Sequence, residues 1–61
     1  MKIEFDPIAD ALCLELAEGE ISKTEEVRPG VLIDFDEDGN TLGIELLYVS
    51  KRQSHPVKET A

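Results

Sequence analysis

Tryptophan is absent from this 61-residue chain, and Cys13 and His55 are its single cysteine and single histidine. No disulfide can form within one chain, and no Cys/His zinc site can be assembled from it. Bases are scarce too: six Lys and Arg stand against 14 Asp and Glu, for a net charge of −8. Basic patches supply most of the affinity for a phosphate backbone, so nucleic acid is not an expected partner. No apolar run approaches the roughly 20 residues needed to span a membrane. The opening M-K-I-E-F-D lacks the apolar stretch of a signal peptide. The expectation is a soluble cytoplasmic protein without a membrane partner, and a lone thiol fits a reducing compartment. The acids are unevenly spread. Residues 1–49 hold 13 acids and three bases (Lys2, Lys23, Arg28), whereas residues 50–61 hold Lys51, Arg52 and Lys58 against Glu59.

What the chain does have is a repeat. Residues 3–16 read I-E-F-D-P-I-A-D-A-L-C-L-E-L and residues 33–46 read I-D-F-D-E-D-G-N-T-L-G-I-E-L. Without a gap, Ile3/Ile33, Phe5/Phe35, Asp6/Asp36, Leu12/Leu42, Glu15/Glu45 and Leu16/Leu46 are identical. An offset of this size marks a repeated supersecondary unit.

Both copies alternate with a period of two, the mark of a half-buried strand. Ile3 and Phe5 share a face, as do Leu12, Leu14 and Leu16. Val31, Ile33 and Phe35, then Leu42, Ile44, Leu46 and Tyr48, continue the pattern in the second copy. Between its runs lies D-E-D-G-N, where Gly and Asn accept positive φ cheaply, so the second copy reads as a hairpin. The first copy is ambiguous: Asp6, Pro7 and Gly19 could cap, start and end a helix. A helix, however, would turn Leu14 away from Leu12 and Leu16, and the repeat favours a second hairpin. Residues 18–28 read as polar loop with at most a short extended piece near Ile21 or Val27. Arg28-Pro29-Gly30-Val31 reads as a tight turn, and Ser50–Gln53 are compatible with one helical turn. The expected fold is mainly β: a four-stranded antiparallel sheet of two repeated hairpins, in a single domain over residues 1–53 with a flexible tail at 54–61. The alternative is an α+β fold with a helix at 7–18.

Such a sheet carries an apolar face with no amphipathic helix to cover it. A chain this short buries only about 60% of its unfolded surface and is marginal alone. An exposed apolar sheet face must pack against something, and the simplest cover is a second copy in a symmetric dimer.

Two constellations carry candidate chemistry. Asp34, Asp36, Asp38, Gly39 and Glu45 satisfy the spacing of an EF-hand calcium loop. Carboxylates are suitable hard ligands, but the flanking runs are β-like and the first copy has Pro7-Ile8-Ala9-Asp10 in the equivalent loop. An acidic hairpin turn is therefore the expected reading, with no metal and no cofactor. The second constellation is the face opposite the apolar one, where alternation gathers Glu4, Asp6, Glu15, Asp34, Asp36 and Glu45. It reads as a solvated face or as a docking surface for a small basic protein; a carboxylate-based enzyme is the remaining alternative. Cys13, His55 and the serines stand in no nucleophile arrangement, and no catalytic residue is assigned. The leading reading is a small, acidic, non-enzymatic interaction module; cation binding or carboxylate catalysis is the alternative.

The residues Phe5-Asp6-Pro7, Ala9-Asp10-Ala11-Leu12, Leu14 and Leu16, with Pro29-Gly30-Val31, Ile33 to Gly39 and L-G-I-E-L-L at 42–47, resemble a family of short prokaryotic proteins. It is catalogued as the domain of unknown function numbered 2283. The resemblance covers residues 2–52. It implies a small, mainly β protein without an established activity. Some similar proteins are encoded beside small toxin-like proteins, which implies an antitoxin or chaperone-like role toward a partner. Cys13 departs from the family pattern, where an aromatic residue is common.

Overall fold

The computed structural model describes residues 1–52; the expected tail at 54–61 lies outside them. Alternation becomes five strands: β1 (Lys2–Asp6), β2 (Ala11–Glu15), β3 (Lys23–Arg28), β4 (Val31–Phe35) and β5 (Thr41–Leu46). They form one antiparallel sheet in the order β1-β2-β5-β4-β3. The mainly β class holds, but the expected count of four strands was one short. K-T-E-E-V-R, read as loop, pairs with β4 as the fifth strand at the sheet edge. Its side chains are exposed throughout, so it needs no apolar alternation. The 7–18 stretch contains strand β2 and no helix.

The two repeats are the hairpins β1-β2 and β4-β5, joined in the middle by β2 against β5. Leu14 is directly opposite Ile44, and these two are repeat equivalents. The hairpins are therefore related by a local two-fold axis normal to the sheet, passing between Leu14 and Ile44. The symmetry breaks at a bulge: Asp34 pairs with Gly43 but Phe35 with Thr41, which leaves Leu42 as the extra residue. Its equivalent Leu12 pairs regularly with Phe5. A bulged residue leaves the regular alternation, so Leu42 does not join the apolar face as expected. It is buried instead, 6% exposed, beneath the β2–β3 connection at Gly19.

Both copies keep their Asp for the same local reason. Asp6 Oδ1 accepts hydrogen bonds from the backbone N–H of Ile8 (3.0 Å) and Ala9 (3.2 Å). Asp36 Oδ1 accepts from the N–H of Asp38 and of Asn40, each at 2.9 Å, and Oδ2 accepts from Asn40 Nδ2 at 3.0 Å. These are Asx-type turns, in which a short carboxylate closes the bend. Positive φ falls on Asp10 (56°) in one turn and on Gly39 (86°) in the other, so the first hairpin needs no glycine.

Residues 47–52 tie one end of the sheet together. Val49–Lys51 form a 3-10 turn, close to the helical turn expected at 50–53. Tyr48, expected to extend the apolar face, adopts a left-handed conformation and is exposed, because β5 ends at Leu46. Asp10 accepts from Val49 N–H through its carbonyl and from the Ser50 N–H and hydroxyl through its carboxylate. The Gly30 carbonyl accepts from Leu47 N–H and from Arg52 Nη2. Gly30 has φ of 74°, and a Cβ there would lie 3.1 Å from Arg52 Nη2 and 3.2 Å from Tyr48 Cδ2. Gly30→Ala is expected to destabilise the fold by about 1–2 kcal/mol from backbone conformation alone, read as a lower urea midpoint at unchanged slope.

Candidate functional site

The register sorts side chains into two faces, since directly paired residues on neighbouring strands point the same way. One row across the sheet is Ile3, Leu14, Ile44, Ile33 and then Glu25; the next is Phe5, Leu12, Leu46, Val31 and then Arg28. Phe35 extends this face beside Lys23, whose Nζ sits 5.7 Å from the ring centre. Lys23 also pairs with Glu25 at 3.6 Å, an exposed ion pair of small worth. The apolar face thus spans four strands and is bordered by charge along β3.

Nothing within the described chain covers it. Among the described residues the buried hydrophobic side chains are Ala11 and Leu42, and neither belongs to the two rows. Ile3 is 64% exposed and Phe5 53% exposed. Fully burying one such side chain is worth about 1.5–3 kcal/mol. In the lone chain most of this gain is missing at Ile3 and Phe5, and part of it at Leu12, Leu14, Val31, Ile33, Phe35, Ile44 and Leu46, which are half-buried.

The opposite face carries the rows Glu4, Cys13, Glu45, Leu32, Glu26 and Lys2, Glu15, Gly43, Asp34, Thr24. It brings Glu4, Glu15, Asp34 and Glu45 together as expected and adds Glu26, which the loop reading of β3 had hidden. Asp6 closes β1 and Asp36 lies beyond β4; both are engaged in turns. With the β2–β3 connection this face bounds an open cleft of about 390 Å³, floored by Gly43 and walled by Glu15, Glu18 and Ile21. A Cβ on Gly43 would meet the Leu14 carbonyl oxygen at 2.9 Å.

The chemistry of this face is restrained. The Cys13 thiol donates to Glu45 Oε2 at 3.3 Å. Desolvation raises its pKa first, and that hydrogen bond and the charges of Glu45, Glu4 and Asp34 push it further. A protonated thiol is a poor nucleophile and a poor metal ligand. The calcium-loop spacing does not become a calcium loop. Asp36 spends both oxygens on the turn, Thr24 Oγ1 donates to Asp34 at 2.6 Å, and Glu45 lies within strand β5. Among the described residues no group of three or more His, Cys, Asp or Glu side chains is placed to hold a metal ion, and no helix is long and apolar enough to cross a membrane.

Two of the turn carboxylates titrate with the fold. The Asn40 side chain, chiefly, holds Asp36 below the usual carboxylate range, and the Ser50 hydroxyl does the same for Asp10. A folded-state pKa below the unfolded one gives stability that is present above the ordinary carboxylate range and lost as pH falls through and below about 4. The fall in the unfolding midpoint between about pH 5 and pH 2.5 should be smaller in the double variant Asp10→Ala/Asp36→Ala than in the parent.

The model of one family matches residues 2–50, the family described as a protein of unknown function, DUF2283. The chain belongs to this family. No curated protein and no solved structure matches it. Membership covers both hairpins, β3 and most of the 3-10 turn, so the two-faced sheet lies within the matched region. In this DUF2283 protein the matched region holds a sheet with two chemically opposite faces, and the family description adds no reaction.

Proposed function

We propose that this DUF2283 protein is a small non-enzymatic protein-interaction module whose apolar sheet face is a permanent binding surface. The observation that carries this reading is the uncovered face itself. Among the described residues only Ala11 and Leu42 are buried hydrophobic side chains. In the rows through Ile3–Ile33 and Phe5–Val31 the apolar side chains are exposed at Ile3 and Phe5 and only half-buried at the other six positions. Exposed apolar patches of this extent mark interaction sites. The folded state then depends on association, and a chain that folds only with a partner has a concentration-dependent midpoint. Thermal unfolding across a thousandfold range of total protein concentration tests this. The midpoint should rise steadily with concentration. A constant midpoint with a cooperative transition throughout would show a fold that stands alone.

A second reading concerns the acidic face and is favoured by the five carboxylates gathered on it, Glu4, Glu15, Glu26, Asp34 and Glu45. Glu4 and Glu45 flank Cys13, with Glu15 and Asp34 in the adjacent row. No two of these acids are directly paired across strands, but together they give the face a negative field that would attract a basic protein. An antitoxin-like role toward such a protein would use this surface. Its affinity should fall steeply with added salt; a salt-independent complex would exclude it.

A further inference from the structure

We propose that the occupant of the apolar face is a second copy of this chain, packed face to face about a two-fold axis lying between the sheets. The proposal rests on the interaction-module reading above and names its partner.

Three features support it. The face must be covered whenever the chain is folded, because the described residues provide no other core. A second copy is present wherever the first is made, whereas a foreign protein is not. The row Ile3–Leu14–Ile44–Ile33 is itself symmetric about the Leu14–Ile44 pair. Such a patch meets its own image with apolar residues opposite apolar residues, as an isologous interface requires. Charge is partitioned in the same sense. A chain of net charge −8 would repel its copy if the acids lay between the sheets, yet Glu4, Glu15, Glu26, Asp34 and Glu45 lie on the other face. The apolar face carries Lys23, Glu25 and Arg28 along one border.

The four apolar strands about 4.8 Å apart, with five residues of about 3.4 Å each, make a flat patch of roughly 19 by 17 Å. With its side-chain relief and the charged border along β3, such a patch corresponds to an interface at or below the roughly 800 Å² per partner of standard complexes. Two such sheets about 10 Å apart form a sandwich with one shared core.

The test uses the unaltered chain. Carbon-13-labelled and unlabelled protein are unfolded together, refolded and concentrated, and the mass in solution is measured alongside isotope-filtered NOE spectra. The expected result is twice the chain mass, with intermolecular NOEs from the methyls of Ile3, Leu14, Ile33 and Ile44. A dimer whose intermolecular NOEs arise only from strand edges or from the acidic face would overturn the proposal. A chain that stays monomeric and lacks cooperative structure would overturn it too, leaving the module reading intact with a foreign partner. A monomer that is stably folded would overturn both.

Discussion

Ile44→Asp should leave the chain without a cooperative unfolding transition at any accessible concentration. Ile44 is paired with Leu14 on one side and Ile33 on the other, so it sits in the middle of the apolar face. Its loss removes about 2 kcal/mol of burial when the face is covered. The new carboxylate must also be desolvated without a partner, which costs more than the lost burial. Together these match or exceed the 5 kcal/mol or so that a small domain can count on. Circular dichroism over a urea titration would show a gradual drift instead of a sigmoid. The contrasting variant is Glu4→Gln on the acidic face, which should keep the parent's sigmoidal transition. Equal loss in both variants would mean that the two faces do not differ in role.

Leu42→Ala should destabilise the fold by about 2–4 kcal/mol, as large-to-small changes at buried leucines do. The reason differs from that at Ile44. Leu42 is buried by its own chain, with its Cδ2 3.0 Å from where a Cβ on Gly19 would stand. The carbonyl of the same residue accepts from the backbone N–H of Leu16 and of Ala17. The side chain therefore anchors the β2–β3 connection that delivers β3 to the sheet edge. For a domain of this size the loss corresponds to a melting temperature lower by roughly 10 °C or more. The expected shift is the same fold of stability loss whether protein is dilute or concentrated, because the contact is intramolecular. A shift that vanished at high concentration would place Leu42 in the interface instead.

The parts of the fold that were legible in the sequence are those that follow from alternation. Ile3/Phe5 and Leu12/Leu14 show a period of two because each strand has one apolar and one polar face, and the repeat resolved the helix-or-strand ambiguity of 7–18. Strand β3 was not legible, because K-T-E-E-V-R is exposed on both faces and leaves no apolar period. The bulge at Leu42 was hidden by the ungapped repeat, which equates it with Leu12 although only one of them is paired in register. Tyr48 continued the alternation by spacing alone, but the strand ends once Leu47 N–H turns to the Gly30 carbonyl.

The acidic face was half legible. Glu4, Glu15, Asp34 and Glu45 follow from alternation. Asp6 and Asp36 were grouped with them although they serve turns, and the signal was available: each stands at a strand end ahead of turn residues, where a short carboxylate caps backbone N–H groups. The calcium-loop match arose from that same turn chemistry. A carboxylate that closes a hairpin and one that begins a metal loop share a sequence pattern. The strands on either side, with Glu45 inside β5, and the turn hydrogen bonds of Asp36 mark this one as a hairpin turn.

The central claim is that the apolar face is never in water while the chain is folded. Paramagnetic relaxation of methyl signals by a soluble gadolinium chelate measures this directly. The Ile8 side chain, 96% exposed in the β1–β2 turn, provides the internal reference. The account predicts that the methyls of Ile3, Leu14, Ile33 and Ile44 relax far more slowly than those of Ile8. Equal enhancement at Ile3, Ile33 and Ile8 would put the face in solvent and contradict it.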